Sequence, residues 1–117
     1  MPEKRDPSST TMALSNALVA LHKEQFGRGP THARSDFAGP DVVVTVFYDA
    51  LLPAEKALAE MGEVMRVQES RMFFQEATRD QFIKTIEEIV HRKVHSFHST
   101  CDARVGIVME IAVFEPR

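Results

Sequence analysis

Residues 26–48, FGRGPTHARSDFAGPDVVVTVFY, decide the fold of this chain. The stretch begins where a helix has to end, because Gly27 suits the position after a helix and Pro30 prevents its continuation. Apolar and polar residues then alternate up to Phe37, a turn follows at residues 38–40, and a run of β-branched residues completes the stretch. The pattern predicts two antiparallel strands directly after a helix.

The segments on either side predict three helices and two more strands. Apolar residues three and four positions apart predict a first helix over residues 9–26. A short helix is predicted to begin at Pro53, which suits the first turn, and a stretch without proline or glycine predicts a long helix over residues 63–90. Alternation predicts the last two strands at residues 94–98 and 105–114, with a polar connection between them.

The order α-β-β-α-α-β-β predicts an α+β fold. Helices on one side of a four-stranded, mainly antiparallel sheet would give a two-layer sandwich. Residues 1–8 are charged and contain proline, so a flexible tail is predicted there, and residues 9–117 are predicted to form a single domain. The long helix is predicted to bury one apolar stripe, which consists of Met65, Met72, Phe73, Phe82, Ile83, Ile86, Ile89 and Val90.

Composition argues against several classes of function. The formal net charge of −3 argues against nucleic-acid binding, which needs a clustered excess of lysine and arginine. No stretch approaches the ~20 apolar residues of a membrane helix, so direct membrane insertion is not predicted. Cys101 is the only cysteine, so no disulfide can form within the chain, and a reducing, cytoplasmic location is predicted.

Both faces of the two strongest strands are rich in apolar residues. One face contains Val43, Phe47, Val108, Ala112 and Phe114. Because an exposed apolar patch of this kind usually meets a partner, this face is predicted to pack against a second copy of the chain in a homodimer. The alternative is that the first helix covers the same face within one protomer.

The glycine-rich corner after the first helix is a candidate ligand or partner site. Its predicted binding residues are Arg28, Gly29, Thr31, His32 and Arg34. The glycines would leave backbone N–H groups free to meet an anion, and the two arginines could clamp it. The spacing is not that of a phosphate-binding loop, so a solvated corner paired with nearby carboxylates remains the alternative.

The histidine-rich segment formed by the predicted third strand and the connection after it offers metal-ligand side chains. His95, His98 and Cys101 are the residues of a possible metal site, and His91 lies just before them. Their spacing does not converge on a regular strand, so surface histidines are the favoured interpretation and a metal sensor the alternative. Catalysis by Cys101 with a histidine is the least favoured hypothesis, because the cysteine is predicted to lie in the polar connection.

The acidic residues along the long helix, together with the basic residues beside them, are interpreted as a solvated face rather than as acid–base catalysts. These residues are Arg66, Glu69, Arg71, Glu76, Arg79, Asp80, Lys84, Glu87 and Glu88.

Four segments of the chain together resemble the MpsC family. They are LSNALVALHKEQFGRGPTHAR from Leu14, VVVTVFYDALLPAEKALAE from Val42, FIKTIEEIVHRKVHSFHS from Phe82 and IAVFEP from Ile111. The family is a small bacterial domain named for a Na+-translocating, membrane-potential-generating system. The resemblance implies a non-enzymatic accessory or regulatory domain that serves Na+ or bicarbonate transport through a partner, either a membrane transport or a signalling protein. It implies no catalytic residues and no cofactor.

Two positions depart from the family pattern. Leu52 stands before the proline-led helix, where the family commonly has threonine, and this loses a helix cap that contributes about 1 kcal/mol. His91 stands before the Arg-Lys-Val block, where the family commonly has glycine, and a left-handed residue is expected there.

Overall fold

The structure is a computed structural model that describes residues 7–117, with side chains from Ser9 onward. Residues 1–6 of the predicted tail lie outside the described residues. Residues 7 and 8 belong to the first helix, which therefore begins two residues earlier than predicted. The elements in chain order are α1 (Pro7–Phe26), β1 (His32–Phe37), β2 (Val42–Tyr48), α2 (Pro53–Glu60), α3 (Val64–Val90), β3 (Val94–Asp102) and β4 (Ile107–Phe114).

The predicted α+β fold and its element order are confirmed. The four strands form one antiparallel sheet in the order β1-β2-β4-β3, so the two strongest strands lie side by side at its centre. The two hairpins meet through the pairing of β2 with β4, in which Val44 lies opposite Ile111. Helices α1 and α3 pack on one face of this sheet, which we call the inner face.

The sheet face that was predicted to meet a second copy is instead the inner face. Val43, Phe47, Val108, Ala112 and Phe114 are all buried against α1 and α3 within one protomer. The alternative of intramolecular cover is therefore the correct one for these residues. Alternation along a strand separates the two faces but does not say which one the helices cover.

No helix within residues 7–117 packs on the opposite face of β2 and β4. Its eight side chains are partly exposed, and none is charged. We call this set the outer sheet face, and it consists of Val42, Val44, Val46, Tyr48, Ile107, Met109, Ile111 and Val113.

Strand β3 is longer than predicted. It continues through Asp102 because Ser99, Thr100 and Cys101 pair with β4, although their polar side chains resemble those of a loop. The turn to β4 follows, and the Gly106 N–H donates to the Asp102 carbonyl at 3.0 Å while Gly106 adopts a φ of 70°. Strand β4 consequently begins two residues later than predicted.

The buried stripe predicted on the long helix is correct only in its second half. Phe82 and Ile86 are buried, as predicted, but the side chains of Met65 and Phe73 are 69% and 72% exposed, and Met72 is exposed as well. The first half of α3 buries Val67 and Arg71 instead. At 100° per residue, Met65, Met72 and Phe73 lie on the side of the helix opposite these two.

His91 ends α3 in the left-handed conformation, with φ 60° and ψ 39°. This conformation costs a residue with a side chain about 1–2 kcal/mol, whereas glycine adopts it freely. We expect His91→Gly to raise the free energy of unfolding by about 0.5–1 kcal/mol after the greater freedom of glycine in the unfolded chain is deducted. Urea denaturation of the Gly and Ala variants checks this, because the Ala variant keeps the strain and should show no gain.

Candidate functional site

A row of polar side chains crosses the apolar inner face of the sheet. Ser35 of β1 lies opposite Thr45 of β2, which lies opposite Glu110 of β4, which lies opposite Ser99 of β3. Each is flanked along its strand by apolar inward residues such as Val43 and the others of the core. The row therefore brings one polar residue from each strand to the middle of the core.

The half of this row nearest β1 is fully hydrogen-bonded. The Oγ of Ser15 on α1 lies 2.8 Å from Ser35 Oγ, which lies 2.8 Å from Thr45 Oγ1. All three residues are buried. The chain of hydroxyls connects α1 to the first hairpin and leaves no unpaired polar group in that half, as a buried network requires.

The other half of the row contains a buried ionisable pair. His22 of α1 places its Nε2 3.3 Å from Oε2 of Glu110, whose side chain is only 3% exposed. Neither Oε1 of Glu110 nor Oγ of Ser99 has a hydrogen-bond partner within the described part of the chain. Burial raises the pKa of the Glu110 carboxyl, and the hydrogen bond and charge of His22 offset only part of that rise.

Aromatic rings hold the imidazole of His22 in place. Its ring centroid lies 4.4 Å from that of Phe47, 5.0 Å from that of Phe82 and 5.9 Å from that of Phe26. These contacts leave the ring little freedom to turn away from Glu110, so the pair is fixed by packing on the histidine side.

Arg71 is the main charged neighbour of this pair, and it does not belong to the solvated face predicted for α3. The residue is 2% exposed. Its guanidinium donates to both oxygens of Glu55, at 2.8 and 2.6 Å, and to the Ala50 carbonyl at 2.7 Å. It also lies over the ring of Phe26, 4.3 Å from the centroid. Glu55 thus neutralises Arg71, and the sequence interpretation of Arg71 was wrong.

A small cavity adjoins the pair. Its volume is about 10 Å³, room for about one water molecule. His22, Glu110 and Arg71 line it together with three phenylalanine rings and the polar side chains of Gln75 and Thr78. This size excludes a ligand of several heavy atoms and admits one water-sized species.

The two arginines of the predicted corner form separate ion pairs. Arg28 lies 3.5 Å from Asp49, a carboxylate that Lys56 also contacts at 2.8 Å. Arg34, which is 73% exposed, pairs with Asp36 at 2.9 Å. Each guanidinium thus has its own carboxylate partner, which corresponds to the solvated-corner alternative.

The remaining corner residues contact the end of β2 and the first helix. The ring of His32 stacks on Tyr48 at 4.3 Å, and Thr31 Oγ1 donates to the Tyr48 carbonyl at 3.3 Å. Gly29 packs so close to Val19 that a side chain there would lie 3.2 Å from the Val19 carbonyl oxygen. This glycine is explained by helix packing, and anion binding at the corner stays a prediction.

The structure separates two of the candidate metal ligands. His98 lies 3.1 Å from Ser96 Oγ and pairs opposite Ile111 of the outer sheet face, whereas Cys101 packs with the core on the inner side. Within residues 7–117 no three histidine, cysteine or acidic side chains group as a metal would require. Burial raises the pKa of the Cys101 thiol, which disfavours the reactive thiolate form.

The buried pair escaped the sequence analysis, although two signals pointed to it. Glu110 is the one charged residue among the alternating inward positions of β4, and Thr45 interrupts Val43 and Phe47 in the same way. His22 follows Leu18 by four positions on the buried stripe of α1. A polar residue at an apolar-face position is the signal that could have identified the pair.

Comparison with protein families identifies the chain. The model of the family described as "Na+-translocating membrane potential-generating system (MpsC)" matches residues 8–116. The chain belongs to the MpsC family. Searches of curated proteins and of solved structures gave no match. In this MpsC chain, no helix within residues 7–117 has the length and apolar content that crossing a bilayer requires.

The two departures from the MpsC pattern have structural counterparts. His91, where the family commonly has glycine, adopts the left-handed conformation that glycine favours. Leu52, where the family commonly has threonine, has no side-chain acceptor for a cap, but its own N–H donates to Glu55 Oε1 at 2.8 Å. Half of the usual reciprocal capping arrangement is therefore retained.

Proposed function

We propose that this MpsC domain is a non-enzymatic accessory or regulatory subunit of a membrane-potential-generating system that transports Na+ or bicarbonate. The domain acts as a homodimer and through partner proteins rather than by chemistry of its own. The family description supports the transport context. The outer sheet face is the single observation that carries the mode of action, because it is an apolar surface that its own helices do not cover.

The occupant of the outer sheet face is a second copy of the chain. The outer sheet face and the flanking strands β1 and β3 together form a surface of four strands about 4.8 Å apart, each about seven residues long at ~3.3 Å per residue, with a flat area of roughly 450 Å². A second copy laid on this surface would bury about twice that flat area in total, and the projecting side chains would increase the buried area further. The total approaches the ~1,200 Å² at the lower end of stable interfaces.

Charge also favours a second copy. On the neighbouring strand β1, one cation and one anion, Arg34 and Asp36, lie beside the apolar centre, and they already pair with each other. The edge formed by β3 contributes Ser96, His98 and Thr100. A face with no net charge can meet itself about a two-fold axis without opposing like charges, as a self-complementary interface requires.

The dimer is tested by a charge placed at its centre. Val44→Lys puts an ammonium group opposite Ile111 in the middle of the outer sheet face, and burying it in the dimer would cost several kcal/mol. We expect the wild-type chain to sediment as a dimer and the variant as a folded monomer in analytical ultracentrifugation, with unchanged circular dichroism.

The matched control is Met72→Lys, which places the same charge on an exposed methionine of the helix layer. This variant should remain a dimer. A wild-type chain that is monomeric at every concentration tested contradicts the dimer, and so does a dimer that tolerates Val44→Lys.

The transport role is tested in cells by deleting the gene and measuring membrane potential with a voltage-sensitive dye, together with Na+-dependent bicarbonate uptake. We expect both to fall on deletion and to return with the wild-type chain but not with Val44→Lys. Unchanged potential and uptake in the deletion strain would remove the transport role, whatever the oligomeric state proves to be.

A further inference from the structure

The core contains a carboxyl group that is bonded on only one side. Glu110 is buried and lines the small cavity; its Oε2 lies 3.3 Å from His22 Nε2, and its Oε1 has no partner within the described residues. An uncompensated carboxylate in such surroundings is strongly destabilising. The charges that face it from each neighbouring element therefore decide in which form it exists.

Among the described residues, His22 is the one charged partner of the Glu110 carboxyl. Helix α3 contributes Arg71, but Glu55 of α2 meets that guanidinium with both oxygens. It also contributes Arg79, which donates to the Phe97 carbonyl at 2.8 Å beside a groove open to solvent, where water screens it. The polar inward neighbours on β2 and β3 are the hydroxyls of Thr45 and Ser99 and the Cys101 thiol, which burial keeps protonated.

One proton makes the pair neutral. A protonated Glu110 beside a neutral imidazole and an ionised Glu110 beside an imidazolium contain the same number of protons, so the pair titrates as one unit. Loss of that proton leaves a net negative charge in the centre of the core. The low polarity of the surroundings opposes this loss.

We propose that His22 and Glu110 together form a buried binding site for one proton, which the pair retains above the pH at which an exposed glutamate ionises. The adjoining cavity, which Gln75 and Thr78 also line, has room for about one water molecule. The site joins α1 to β4, the strand whose neighbouring residues Met109 and Ile111 belong to the outer sheet face. It does not depend on the proposed transport role.

The proposal fixes the sign of a pH dependence. Burial raises the pKa of Glu110 in the folded chain above its value in the unfolded chain. The protonated group therefore makes its full contribution to stability below the pKa that it has in the unfolded chain. That contribution is lost as the pH rises through the pKa that it has in the folded chain. The unfolding equilibrium constant of the wild type, relative to that of Glu110→Gln, should rise tenfold per pH unit between the two values and then level off.

The test combines carboxyl-carbon and imidazole-nitrogen NMR titrations with denaturant unfolding across the pH range. In the wild type we expect the pair to keep one proton, on the Glu110 carboxyl or on His22, after the exposed glutamates have ionised. Glu110→Gln should lack this late deprotonation and the loss of stability that accompanies it. Glu88→Gln is the matched control, because Glu88 is exposed on α3 and its removal should change neither.

Two results would overturn the proposal. One is a wild-type spectrum in which the pair has lost its last proton by the pH at which the other glutamate carboxyls have ionised. The other is an identical pH profile of stability for Glu110→Gln and Glu88→Gln. If Glu110→Gln failed to fold, the wild-type titration alone would still decide.

Discussion

Arg71→Ala is expected to lower the free energy of unfolding by about 3–5 kcal/mol, the usual effect of removing one partner of a buried ion pair. The guanidinium is buried and meets both oxygens of Glu55 and the Ala50 carbonyl. Its loss leaves a half-buried carboxylate and a carbonyl unpaired. Since domains of this size are stable by only about 5–15 kcal/mol, a large share of stability would disappear. Chemical denaturation measures the change.

Two further arginine variants separate charge from position. Arg66→Ala removes an exposed arginine of the same helix, which pairs with Glu63, and should cost less than about 1 kcal/mol. Arg71→Lys keeps the charge but not the planar fork, so it should fall between the two. Equal losses for Arg71→Ala and Arg66→Ala would show that the buried pair contributes nothing special.

Phe47→Ala is expected to cost about 3–5 kcal/mol, because it empties the centre of the core. The side chain is fully buried, and its ring contacts the imidazole of His22 at 4.4 Å between centroids. The cavity would also free His22 to turn, so the variant should alter the titration of the His22–Glu110 pair. Thermal and urea unfolding followed by circular dichroism give the first effect, and NMR gives the second.

Phe73→Ala is the matched control for this variant. Phe73 is the most exposed phenylalanine of α3, and removing an exposed ring should change stability by no more than about 0.5 kcal/mol. A loss for Phe73→Ala as large as that for Phe47→Ala would mean that the exposed side of α3 is covered in solution.

Local sequence signals were sufficient for the fold. Gly27 and Pro30 mark the end of the first helix, and Pro53 marks the beginning of the second. The spacing of the apolar residues is helical before Gly27 and alternating after Pro30. The end of β3 was predicted wrongly because side-chain preference and backbone pairing favour different structures there. Ser99, Thr100 and Cys101 have the side chains of a polar connection, but pairing their backbone groups with β4 outweighs that preference.

The functional surfaces were harder to predict, because they depend on contacts between distant parts of the chain. His22 and Glu110 are 88 positions apart, and they meet only because β4 lies beside β2 under α1. The two faces of β2 are both apolar, so alternation alone could not show which one α1 and α3 would cover. Arg71 likewise reads as one of many charged residues until α2 places Glu55 against it.

Helix α2 contains no buried residue, and this has a consequence for how the molecule opens. Detaching α2 withdraws no buried side chain of its own; it breaks the bonds of Glu55 to Arg71, the contact between Lys56 and Asp49, and the hydrogen bonds of the helix itself. Segments of this kind open without global unfolding, so the amides of residues 53–60 exchange with solvent while those of β2 and β4 stay protected. A protease or a partner that captures an extended segment would therefore reach this part of the chain first.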